Sequence, residues 1–66
     1  LYWILTRFNC ETGKERYVIM EDSADALDAL IDTAVYPIEY EFCEGPFEGY
    51  SQAQRRKQLL QRSKGR

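Results

Sequence analysis

Aromatic and β-branched residues cluster in two short runs near the start of the chain, Tyr2-Trp3-Ile4-Leu5-Thr6 and Arg16-Tyr17-Val18-Ile19-Met20, on either side of Glu11-Thr12-Gly13. Such runs around a glycine-containing turn predict a β-hairpin. A type I turn at Glu11-Thr12 with Gly13 in the left-handed region gives a three-residue loop, pairing Cys10 with Lys14 and Phe8 with Arg16. That register puts Ile4, Phe8, Val18 and Met20 on one face and Trp3, Leu5, Tyr17 and Ile19 on the other. Both faces are apolar, so one covering helix leaves the second face open as a contact surface.

The next pattern is helical. Leu27, Leu30, Ile31 and Ala34 recur at helical spacing behind Asp22 or Ser23 as N-cap, while Asp25, Asp28 and Asp32 share the opposite side. Pro37 requires an end by Tyr36. From Ile38 to Cys43 the alternation is strict, with Ile38, Tyr40 and Phe42 on one face and Glu39 and Glu41 on the other, as in a half-buried strand. A right-handed crossover makes this third strand parallel to the second; placed beside the first, it gives the order 2-1-3. The expected fold is therefore α+β, a three-stranded sheet with one covering helix and a basic C-terminal helix or tail. Gly45 to Gly49 should break the sheet, and Ser51-Gln52-Ala53-Gln54 fits a capping box opening a helix to about Arg62. Ala53, Leu59 and Leu60 are few anchors for it, and its last turn is expected to fray.

Charge divides the chain more sharply than its net value of −2 suggests. Residues 1–50 hold eleven acids against three bases, a net −8, and residues 51–66 hold six bases and no acid, a net +6. The expected organisation is an acidic α+β body over 1–50 and a basic helical tail over 51–66. The body suits basic protein surface, and the tail suits phosphate backbone. At 66 residues there is room for one thin core, so partner contacts can matter to stability. Composition is that of a folded chain, 44% hydrophobic and 30% charged, with a mean hydropathy of −0.57. Cys10 and Cys43 lie in no paired spacing and read as free thiols of a reducing, cytoplasmic setting. Arg7 and Asn9 interrupt the apolar start too early for a leader or a span, so a soluble protein without membrane contact is expected.

The chain has no histidine, which removes the commonest general base and metal ligand. Its acids fall on exposed faces where nothing raises a pKa, and no phosphate-gripping loop, EF-hand or zinc-finger spacing occurs. The reading is a non-enzymatic protein with no catalytic residues, metal, cofactor or small-molecule substrate. Its aromatics exceed what one sheet and helix can bury, and Tyr2, Phe47 and Tyr50, at strand ends or in a turn, are expected to face solvent. With Glu39, Glu41 and Glu44 they form the candidate protein-binding set. The candidate nucleic-acid set is Arg55, Arg56, Lys57, Arg62, Lys64 and Arg66, which are spread around the helix as suits backbone contact without base reading.

A tiny acidic ββαβ body opening Leu1-Tyr2-Trp3, with the hairpin Thr6 to Tyr17 and a basic tail, resembles the small phage-encoded regulators of host RNA polymerase. The resemblance lies in size, charge layout and element order, and no motif carries residue roles across. It implies a protein of the host cytoplasm that docks on bacterial RNA polymerase subunits near the RNA exit channel. There such a protein blocks sigma-dependent initiation and suppresses intrinsic termination, its acidic body on polymerase and its tail on RNA or DNA. Two other readings stay open: a nucleic-acid-binding module that relies on the tail, and an inhibitor whose acidic face mimics nucleic acid.

Overall fold

The computed structural model describes residues 1–64 of the chain and shows an α+β fold with the order β1 Tyr2–Asn9, β2 Glu15–Glu21, α1 Ala24–Thr33, β3 Ile38–Phe47 and α2 Tyr50–Lys64. The open sheet has the order β2-β1-β3, and β1 is antiparallel to both neighbours, so β2 and β3 run parallel on either side of it.

The hairpin register differs from the expected one by a single residue. Phe8 pairs with Glu15 and Leu5 with Val18, and the loop is four residues long, Cys10 to Gly13. Asn9 accounts for the difference. Its side-chain oxygen accepts hydrogen bonds from the backbone N–H groups of Glu11 (2.9 Å) and Thr12 (3.1 Å), and its carbonyl accepts one from Gly13 N–H at 2.8 Å. The asparagine thus closes the turn on itself and adds one residue to the loop. Gly13 does take the left-handed conformation, with φ +73°. Since a one-residue slip exchanges the faces of a strand, Val18 and Met20 join Trp3 and Leu5, while Ile4 and Phe8 join Tyr17 and Ile19.

The Trp3 face carries the core. Trp3, Leu5 and Leu27 are buried together, with Val18, Met20, Leu30, Ile31 and Tyr40 packed around them. Ser23 caps α1, its Oγ accepting from Ala26 N–H at 3.2 Å, and the Trp3 indole N–H donates to the Asp22 carbonyl at 2.9 Å. Helix and central strand are thereby tied at the point where α1 begins.

The other face is not left open as expected, because α2 lies across it. Ala53 and Ile4 are both fully buried, and the Tyr50 ring meets Tyr2 edge-on at 5.7 Å. A small residue at position 53 lets the helix backbone approach the sheet closely, so few large anchors are needed. The helix opens two residues earlier than the capping box predicts, with Gly49 in place of Ser51 at the cap position and Ala53 N–H bonded to the Gly49 carbonyl at 3.3 Å, so Ser51 falls inside the first turn.

Nor do Gly45 and Pro46 break the sheet. β3 continues through them to Phe47, which pairs with Tyr2, and the register shifts on either side of Ile4 absorb the irregularity. An edge strand tolerates a proline whose nitrogen faces away from the ladder. Gly45 is required there. Its φ is +141°, and a Cβ would stand 2.9 Å from Trp3 Cε3 and 3.3 Å from Trp3 Cα.

Candidate binding faces

The expected alternation of β3 holds. Glu39 pairs with Phe8 and Glu41 with Thr6, so both carboxylates stand on the α2 side of the sheet, and both are exposed. A hollow of about 500 Å³ is lined by Thr6, Phe8, Glu15, Glu39 and Glu41 together with Tyr40, Ile31 and Ala34. Asp25, Asp28 and Asp32 are exposed on α1, over the opposite face. Acids therefore flank the outer strand β3 on both sides.

Glu44 belongs to a different setting. Arg56 Nε and Nη2 donate to its two oxygens, each at 2.6 Å, in a bidentate pair. Those hydrogen bonds hold the Glu44 carboxyl below the usual carboxylate range and raise the Arg56 guanidinium further. The structure thus joins one residue of the candidate protein-binding set to one of the candidate nucleic-acid set. Each offsets the other's charge.

The aromatic expectations need correction. Tyr2 and Phe47 are half-buried, not solvent-facing, because they pair across β1 and β3 at the end where α2 starts, and Tyr50 packs on Tyr2. Burial, then the Glu21 carboxylate, pushes the Tyr2 phenol up. Tyr50 is 53% exposed as expected. Phe42 is 46% exposed, its ring edge-on to Trp3 at 6.0 Å, and Val35 and Tyr36 stand out from the loop before β3. The alternation of β3 assigns Phe42 to the core face but could not show that the core leaves it partly uncovered.

The bases of α2 have different surroundings. Arg55 and Arg62 are exposed, Arg56 is held by Glu44, and Lys57 is half-buried on the sheet-facing side with Ala53 and Leu60. The Lys64 side chain and Arg66 lie outside the described residues. Arg55, Leu59 and Arg62 follow one another at four- and three-residue steps, forming an outward stripe in which Leu59 is 53% exposed.

Cys10 is exposed and Cys43 half-buried, and neither forms a disulfide. Burial first, then nearby carboxylates, Glu39 at Cys10 and Glu44 at Cys43, raise both thiols, the opposite of what a reactive thiolate needs. Among the described residues, no three His, Cys, Asp or Glu side chains are placed to hold a metal ion, and no helix is long and apolar enough to cross a membrane. No protein-family model, curated protein or solved structure matches this chain.

Proposed function

We propose that the chain is a non-enzymatic binding protein that docks on a basic protein surface through the acidic flanks of β3 and α1, with nucleic-acid contact through α2 as a secondary element. The observation that carries this reading is the position of α2. It lies on the sheet, with Arg56 joined to Glu44 and Lys57 half-buried, while Glu39, Glu41, Asp25, Asp28 and Asp32 remain exposed. The acids thus offer the larger accessible surface of one sign, and such a surface steers association with a partner of opposite charge. In the transcription reading, the partner is bacterial RNA polymerase near the RNA exit channel, and the outcome is blocked sigma-dependent initiation and suppressed intrinsic termination. Size, charge layout and element order support that partner.

The test is a titration of labelled chain with purified, nuclease-treated core RNA polymerase at about 0.15 M salt, where charge contacts beyond ~8 Å are screened. Saturable binding under these conditions, followed by reduced initiation and increased terminator read-through in a purified transcription reaction, is the expected result. No binding to the polymerase would remove this partner. Binding to nucleic acid alone would favour the tail-driven module instead.

A further inference from the structure

The hairpin register gathers the cations of the acidic body in one place. Arg7, Lys14 and Arg16 are the bases of residues 1–50, and all three line a hollow of about 570 Å³ at the hairpin end of the sheet, with Asn9, Thr12 and Glu15. Arg7 and Arg16 are direct cross-strand partners, and Lys14 precedes Arg16 by two residues, so alternation turns these bases to the Trp3 face. By the same alternation Glu15, Glu39 and Glu41 stand on the opposite face, the one that α2 covers. The hollow is therefore separate from the bases of α2.

Two features point to a ligand here. Like charges directly opposite in a sheet destabilise it, with their Cβ atoms only about 5 Å apart, and among the described residues no carboxylate lies within ion-pair distance of Arg7, Lys14 or Arg16. An anion seated beside the two guanidiniums would offset that repulsion. Asn9 adds a neutral donor, since its side-chain oxygen is used by the turn while its amide NH2 has no partner among the described residues. The second feature is aromatic. Tyr40 is the partner of Arg7 on its other side, and Tyr36, 69% exposed, lies in the loop held to the hairpin by the 2.8 Å bond from Cys10 N–H to the Pro37 carbonyl. A bare phosphate gains nothing from an exposed ring, whereas an unpaired base stacks on one.

We propose that the hairpin end is a binding site for single-stranded nucleic acid, in which Arg7, Lys14 and Arg16 take phosphates and Tyr36 stacks a base. A duplex keeps its bases stacked on one another and offers Tyr36 no free face, so a flexible single strand is the form that fits. This goes beyond the proposed function, because it assigns nucleic-acid contact to the acidic body itself.

The test uses the full chain and no polymerase, so its failure leaves polymerase docking untouched. Fluorescence anisotropy follows binding to a labelled oligouridylate of about 12 nucleotides, within the length such sites cover, over a series of salt concentrations. Four chains are compared: the wild type, Arg7→Gln with Arg16→Gln, Tyr36→Ala, and Arg55→Gln with Arg62→Gln. The wild type is expected to bind. Removing the two hairpin arginines should weaken binding roughly tenfold or more and make the log–log salt slope shallower by about 1.4, the share of two phosphates on a single strand. Tyr36→Ala should weaken binding roughly fivefold or more with the slope unchanged, and the α2 pair should change it less than the hairpin pair. Arg16→Gln alone should weaken binding while leaving the urea midpoint of the free chain unchanged or raised, because it relieves the repulsion from Arg7. No binding by the wild type, a loss confined to the α2 variant, or a DNA duplex that competes as well as the single strand would each overturn the proposal. Polyphosphate competing equally, with Tyr36→Ala indifferent, would also overturn it and leave a plain anion site. Arg7 is half-buried, so circular dichroism checks folding, and Lys14→Gln with Arg16→Gln, both at exposed positions, serves with the same expected loss where the Arg7 change unfolds the chain.

Discussion

Gly45 and Asn9 each decide more than their size suggests. Gly45 holds a positive φ against the Trp3 ring, so Gly45→Ala adds backbone strain and a clash with a core side chain packed on little spare volume. A loss of about 1–3 kcal/mol is expected, read from the urea midpoint. An unchanged midpoint would mean that the bulge relaxes freely. Glu44 makes a pH-dependent contribution whose sign follows from its lowered pKa. The folded chain holds that proton less readily than the unfolded chain, so the stabilisation is complete above the ordinary carboxylate range and fades as pH falls through the lowered value. Between about pH 6 and pH 3, the wild type should therefore lose more stability than Glu44→Gln. Equal losses would show that the ion pair to Arg56 is not formed in solution. The glycine at position 13 was legible as a left-handed turn residue, whereas the side-chain bonds of Asn9 that lengthen the loop were not. An asparagine before a turn can close it or leave it open, and only the backbone around it decides.

Among the elements, those with strong periodicity were readable and those held by contact were not. The alternation of Ile38 to Phe42 and the apolar spacing of Leu27, Leu30 and Ile31 located β3 and α1, but not the extension of β3 to Phe47, and the structure selects Ser23 over Asp22 as the cap. The placement of α2 was not readable in the same way, because its contact with the sheet combines the small Ala53, the Tyr50 ring on Tyr2, the half-buried Lys57 and Leu60, and the ion pair of Arg56, not a regular apolar stripe. Ala53 is fully buried where the helix comes close to the sheet. Ala53→Leu should cost about 1–3 kcal/mol through overpacking, while the same substitution at exposed Gln58 should stay within about 0.5 kcal/mol. Chemical denaturation of the two variants makes the comparison, and equal effects would argue that α2 leaves the sheet in solution. The face exchange in β1 and β2 has the same lesson. The sequence shows that both faces are apolar, but one extra loop residue determines which residues share the core with Trp3.

At the scale of the molecule, the charge division survives folding but changes its meaning. Read along the chain, six bases form a separate cationic end; folded, Arg55, Arg56 and Arg62 are exposed but Arg56 is joined to Glu44, and Lys57 is half-buried. Nucleic-acid binding through Arg55 and Arg62 alone would release few counterions, and the salt dependence on duplex DNA should have a log–log slope of about −2, where six engaged bases would give about −5. A slope near the larger value would mean that α2 leaves the sheet to bind. The acids of β3 and α1 keep their accessibility, which suits them to contact with a basic surface. The most direct test compares binding of purified core RNA polymerase to the wild type, to Glu39→Lys with Glu41→Lys, and to Arg55→Glu with Arg62→Glu. Reversing the two glutamates is expected to weaken binding roughly tenfold or more, and reversing the two arginines to change it by much less. Equal affinities for the wild type and the glutamate variant, or a loss confined to the arginine variant, would contradict it.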